Sequence, residues 1–187
     1  MSIFDKLKAG GAAPAPAAEP EKKTEETFVF AALPESVEQL KALPEAALTD
    51  PFQAAALTVC ALCAYAAEPA IGIEMLNFLK GPQPLSPMEQ QFLKDRFMDS
   101  KYYIPFSYFN GATPENDYTP AQPFTLRVTA GPYAWQNEGY AKLELRSGGA
   151  DSPRPITLRR KGDGHWFLWE QMLLAGIRQP KSSDPWA

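Results

Sequence analysis

The chain has 187 residues, 45% hydrophobic and 21% charged, with a formal net charge of −4 and a pI near 5.1. That length allows one domain plus a tail, or two small units sharing a core, with a sizeable buried interior. The acidic balance excludes a global field that would draw the chain to nucleic acid or anionic lipid, and two cysteines make no disulfide framework.

Residues 2–8, SIFDKLK, predict one or two amphipathic turns with Ile3, Phe4 and Leu7 on one face and Lys6 and Lys8 beside it. The following stretch, AGGAAPAPAAEPEKKTEET, offers almost nothing to bury and reads as a disordered linker. An arm of about 19 residues ranges roughly 25 Å from its anchor. An apolar tip on such a tether has the pattern of a docking arm, toward a partner groove or a membrane surface, although seven residues are few for a lone anchor. The N-terminus lacks the apolar stretch of a signal peptide, and the longest apolar run, AAALTVCALCAYAA, is too short to span a bilayer. The expectation is a cytoplasmic protein: residues 1–27 as tip and linker, residues 28–187 as one domain.

From Phe28 to Ser100 the spacing predicts helices. LPESVEQLKAL sets Leu33, Val37 and Leu40 at helical intervals. In TDPFQ, Asp50 is placed to cap, Pro51 to open and Gln53 to sit at the third position of a helix over 51–67. That helix is apolar nearly all round, so it belongs in the middle of the domain. A third helix near 70–80 carries Ile71, Met75, Phe78 and Leu79 on one stripe and stops at Gly81-Pro82. LSPMEQQFLKDRFM repeats the start code with Ser86, Pro87 and Glu89, and Met88, Phe92, Leu93 and Phe97 read as its buried face.

After Lys101 the period becomes two. YYIPFSYFNGATPENDYTPAQP is a long aromatic irregular segment, followed by the strand patterns FTLRVTA, GYAKLELR, PITLRR and HWFLWE. Helices first and strands second predict an α+β fold, about four helices layered on an antiparallel sheet or partial barrel. In GYAKLELR, alternation sends Ala141, Leu143 and Leu145 to the core and Lys142, Glu144 and Arg146 outward. KGDG reads as a four-residue hairpin loop, pairing Arg159 with Trp166 and Leu158 with Phe167. The core face would then hold Ile156, Leu158, Phe167 and Trp169. The other face would stack Arg159 on Trp166, with Glu144 within reach across the ladder. Covering that second face is the expected task of residues 101–123, which need somewhere to bury Tyr102, Tyr103, Phe106, Tyr108 and Phe109. A bare binding patch is the alternative.

The loop SGGADSPRP, residues 147–155, lies between two strand patterns. A phosphate-cradling loop needs a lysine and a following helix, and neither is there. A Ser147–His165–Asp151 triad has no motif around it. As an elbow, Gly148-Gly149 would supply positive φ, Asp151 or Ser152 would bond the local backbone, and Pro153 and Pro155 would stiffen the exit. The loop is long for a link. Ser147, Gly148, Gly149, Asp151 and Arg154, with Arg159 and Trp166 of the hairpin, are therefore the candidate contacts for a partner or ligand. Residues 140–161 hold six bases and two acids, yet alternation splits Arg159 from Arg160, so nucleic acid is not the expected partner. Cys60 and Cys63 have redox spacing but fall mid-helix among apolar residues, where they read as structural. No second ligand pair supports a metal, and no catalytic residue or cofactor is expected. Trp186, next to the C-terminus, is expected to fold back or to mark an interface.

The runs DPFQAAALTVCALCAY, YIPFSYFNGATPENDYTP and SGGADSPRPITLRRKGDGHWFLWE resemble an uncharacterised bacterial domain family of unknown function, found in gut-type Firmicutes. The resemblance covers about residues 28–187. It implies one compact domain with a variable N-terminal tail in a bacterial cytoplasm, and it carries no activity and no catalytic residue. The order of elements is also similar to NTF2-like cone folds. The functional expectation is a non-catalytic protein-interaction or scaffold domain with a tethered docking tip, its oligomeric state open. The alternative is a small-molecule-binding or enzymatic cone with Trp166 or His165 at the mouth of a pocket, and a weaker one is attachment to a membrane surface.

Overall fold

The computed structural model describes residues 22–187. The tip Ile3, Phe4 and Leu7 and most of the linker lie outside the described residues.

The first element is a strand, β1 (Glu25–Phe30), where a linker and then helices were expected. In TFVF, β-branched and aromatic residues alternate, so Phe28 and Phe30 turn into the core while Val29 faces solvent. Helix α1 (Val37–Lys41) is short, and the Ser36 hydroxyl accepts from the Gln39 N–H at 3.2 Å. Helix α2 (Pro51–Ala67) starts where its code placed it: the Asp50 carboxylate accepts from the Phe52 N–H at 2.8 Å. Being apolar on every side, α2 is walled in by the sheet, by α3 (Pro69–Lys80) and by the turn Pro105–Tyr108. Helix α4 (Pro87–Arg96) has a complete capping box between Ser86 and Glu89, with bonds of 3.1 and 2.7 Å. Its expected apolar face is only half used. Leu93 and Phe97 are buried, but Met88 is 82% and Phe92 39% exposed.

Strands β2 (Phe124–Ala130), β3 (Tyr140–Leu145), β4 (Arg154–Arg160) and β5 (Trp166–Gln171) follow β1 in an open antiparallel sheet of order β1–β2–β3–β4–β5. The fold is α+β, as the pattern of elements predicts. Helix α2 lies across one face of the sheet, and Phe52, Leu57 and Leu62 share with Leu126, Leu143 and Leu158 a core at 0% exposure. Ala141, Leu143 and Leu145 point inward as expected.

Two expectations fail on the β side. Residues 101–123 do not cover the back of the sheet. Tyr108 and Phe109 are buried on the helical side: the Tyr108 hydroxyl donates to the Leu173 carbonyl, and the Phe109 ring meets Phe124 edge-on at 5.7 Å. The cause is α2, whose apolar surface needs more cover than α3 and the sheet supply. The hairpin register also differs by one residue. Lys161 N–H donates to the His165 carbonyl at 2.8 Å, leaving Gly162–Gly164 as a three-residue loop closed by Gly164 N–H to Lys161 C=O at 3.0 Å. Gly164 takes φ +95°, the left-handed position that this loop length requires. A one-residue slip moves every side chain to the opposite face. Arg159 therefore pairs with Phe167 and Leu158 with Leu168, and a bulge then leaves Trp169 unpaired. Leu168 enters the core, Phe167 packs half-buried against Gly81 at the end of α3, and Trp169 is left exposed. Trp186 does not fold back; it is 94% exposed.

Candidate interaction site

The loop 147–155 is a clasp. Ser147 Oγ lies 2.6 Å from Ser107 Oγ, which itself donates to the Ile104 carbonyl, and the Gly148 N–H donates to the Ser107 carbonyl at 2.8 Å. Neither Gly148 nor Gly149 has positive φ, contrary to the expectation for an elbow. Close approach requires them instead. A Cβ at 148 would sit 2.0 Å from the Ala112 carbonyl oxygen, and one at 149 would sit 2.1 Å from the Tyr118 hydroxyl. Arg154 holds the chain after β5: its guanidinium donates to the Ala175 carbonyl at 2.7 Å and to the Gly176 carbonyl at 2.9 Å. Exposed Asp151 pairs with Arg178 at 3.0 Å. These residues bind the aromatic segment and the C-terminal segment to the sheet.

The structure does not bring Ser147, Asp151 and His165 together. His165 is exposed in the hairpin, where its Nδ1 lies 3.0 Å from Asp163. The His165 backbone N–H, with the imidazole and Lys161, holds the Asp163 carboxyl below its usual range against the opposing effect of desolvation. Cys60 and Cys63 are free and buried, and burial pushes both thiols well above their usual range, which suits structural residues. Among the described residues no group of three or more His, Cys, Asp or Glu could hold a metal, and no helix is long and apolar enough to cross a membrane.

The exposed chemistry gathers around β4 and β5. On the face of the sheet away from α2, Arg159 lies opposite Tyr140, its guanidinium 5.4 Å from the Tyr140 ring and 4.6 Å from Trp169. The two rings meet edge-on at 5.9 Å, and Trp169 is 38% exposed. This trio replaces the expected pairing of Arg159 with Trp166. Trp166 instead packs half-buried against Trp135, 6.3 Å between rings, with Arg160 above it. Glu144 lies opposite Pro155, away from Arg159. Around the edge of β5, a cleft of about 470 Å³ is lined by Lys80, Arg159, Arg160, Lys161 and Trp169 and by no acid. A second cleft of about 330 Å³ continues from it between β5 and α4, sharing Lys80, Leu168 and Trp169 and walled by Leu85, Phe92 and Met172 and by the acids Glu89 and Glu170. Lys80 is matched by Glu89 and Lys161 by Asp163 at 3.6 Å; among the described residues no carboxylate pairs with Arg159 or Arg160. Sequence reading named Arg159 but missed Tyr140, Trp169 and Phe92. Half of the α4 stripe left bare was the signal, and it emerges only once the packing of α4 is known.

Comparison with curated proteins and with solved structures found no match. Residues 32–181 match the family described as Domain of unknown function (DUF6935), and the chain belongs to that family.

Proposed function

We propose that this protein is a non-catalytic protein-interaction or scaffold domain of a bacterial cytoplasm, contacting its partner through the β4–β5 side of the sheet. The observation that carries the reading is the Tyr140–Arg159–Trp169 trio on the face away from α2, with Arg159 and Trp169 exposed. Aromatic rings and an arginine without a carboxylate are the groups that dominate protein contacts when a partner desolvates them. Ser147, Gly148, Gly149 and Arg154 serve this reading as the frame that holds the sheet, with Asp151 at the rim. The tip Ile3, Phe4 and Leu7 acts as a second, tethered contact.

A photo-crosslinking residue at position 140 or 169, in cells that make the chain naturally, should give discrete adducts that position 74 on α3 does not. Adducts no different from those at position 74 would overturn the reading. Deletion of residues 1–21, which stops short of β1, should preserve the melting temperature while reducing adduct yield. A shift of several degrees on adding one class of small metabolite would favour a ligand-binding domain instead.

A further inference from the structure

We infer that the free edge of β5 is a strand-addition site for an extended peptide segment of a partner protein, acidic at the hairpin end and apolar at the α4 end. This rests on the interaction reading above and gives the partner its chemistry.

The ladder fixes which backbone groups are free. Lys161 N–H bonds His165 C=O, so alternation makes Phe167 the next residue bonded to β4 and turns the N–H and C=O of Trp166 and Leu168 away from it. Trp166 confirms the parity, because its outward N–H donates to the Leu48 carbonyl at 2.8 Å. The outward groups of Leu168 have no such partner among the described residues. Beyond the bulge, Met172 N–H bonds Pro155 C=O, which turns Gln171 outward as well. Successive residues of β5 line the two clefts, so the strand edge itself forms a wall of the groove. The opposite edge strand, β1, is guarded by Glu25, Glu26 and Lys23, which are drawn into ion pairs. From Trp166 to Trp169, β5 has no charged residue; the bulge at Trp169 and Glu170 beyond it interrupt the edge on the far side of Leu168.

The side walls choose the sequence of the guest. Arg159 and Arg160 stand without carboxylates at one end, beside Lys161, and favour Asp or Glu. Leu85, Phe92 and Met172 offer the other end apolar contacts, in a lining that also holds Glu170 and Glu89, the latter paired with Lys80. Alternate side chains of an added strand would meet these pockets while its backbone pairs with Leu168. Nucleic acid matches the arginines but neither the apolar end nor the strand edge. An anionic membrane does not fit a groove with helical walls.

The test is selection from an unbiased phage library of linear 12-residue peptides on the full chain, with the most enriched sequence then synthesised for anisotropy and amide exchange. Enrichment of acidic residues in one half and apolar alternation in the other is expected. Arg159→Glu/Arg160→Glu, checked for an unchanged melting temperature, should weaken the peptide about tenfold or more. Saturation should slow amide exchange at Leu168 and Gln171, and N-methylation of the peptide backbone should abolish that protection. Enrichment of basic peptides, no enrichment, unchanged exchange at Leu168, or tighter binding of a 12-nucleotide RNA or of phosphatidylglycerol vesicles would each overturn the proposal. Site-specific crosslinks at position 169 alongside any of these failures would sink strand addition and spare the interaction reading. Loss of both would sink the two together.

Discussion

Replacing Gly148 by alanine tests whether the clasp depends on close approach. The new Cβ would start 2.0 Å from the Ala112 carbonyl oxygen, and must recede by more than an ångström to reach ordinary contact near 3.4 Å. That oxygen belongs to backbone, so no side-chain rotation relieves it. Movement of residue 148 also stretches the 2.8 Å bond from its N–H to the Ser107 carbonyl. Overpacking costs about 1–3 kcal/mol and a weakened backbone bond about 1 kcal/mol, offset by about 0.4–1 kcal/mol from a less flexible unfolded chain. A net loss of about 2 kcal/mol follows, a fall of about 4–8 °C in melting temperature for a domain of this size. Gly162→Ala is the control, since a Cβ there meets nothing within 4 Å. It should be neutral or slightly stabilising. Urea unfolding followed by tryptophan fluorescence measures both variants. If Gly148→Ala unfolds at the same midpoint as Gly162→Ala, with the same slope, the close-approach argument is refuted.

Phe52→Ala, in the fully buried centre of α2, should cost about 3–5 kcal/mol, measured by the same unfolding curves. Arg154→Ala removes the donors to Ala175 and Gly176, and should cost about 1–2 kcal/mol while hastening proteolysis after β5; Arg154→Lys should recover only part. Partial burial opposes ionisation of Glu89, but Lys80 and the Ser86 N–H outweigh it and hold the carboxyl below its usual range. The folded pKa thus lies below the unfolded one. Its contribution is complete above the unfolded carboxylate pKa of about 4.3 and disappears as pH falls through the lower, folded value. The melting-temperature gap between the native chain and Glu89→Gln should close over that acidic window. Native Cys60 and Cys63 should react with a thiol reagent far more slowly than in urea, because burial raises both thiols.

What the sequence made legible was local. Asp50 and Ser86 cap helices because a cap needs only its own first turn, and the start codes could be read residue by residue. The inward set Ala141, Leu143 and Leu145 was legible for the same reason, as a period of two in one strand. What stayed hidden depended on competition between distant surfaces. Residues 101–123 carry aromatics that fit either face of the sheet, and the choice was made by α2, which no pattern in that segment reports. TFVF carries the alternation of β1, but four residues between a charged stretch and a helical pattern are too short a signal to stand out. The exposure of Met88 and Phe92 depends on how far α4 stands from β5, which periodicity does not encode.

The site itself turns on one residue of loop length. With four residues between the strands, Arg159 would face Trp166, and Phe167 and Trp169 would fill the core. With three, parity reverses: Arg159 joins Tyr140 on the open face, and Leu168 takes the core position with its peptide groups turned to the free edge. The bulge then releases Trp169 from the ladder, so that its ring reaches Arg159 at 4.6 Å. A loop and a bulge, each changing the register by one, thus place cation, aromatic and free backbone at one edge. Leu168 fills the core and Phe167 packs half-buried against Gly81, so Trp169 is the large ring of β5 that this register leaves to solvent. The register that exists leaves the Trp169 ring 38% exposed beside Arg159, and a partner that covers this edge takes that ring out of water.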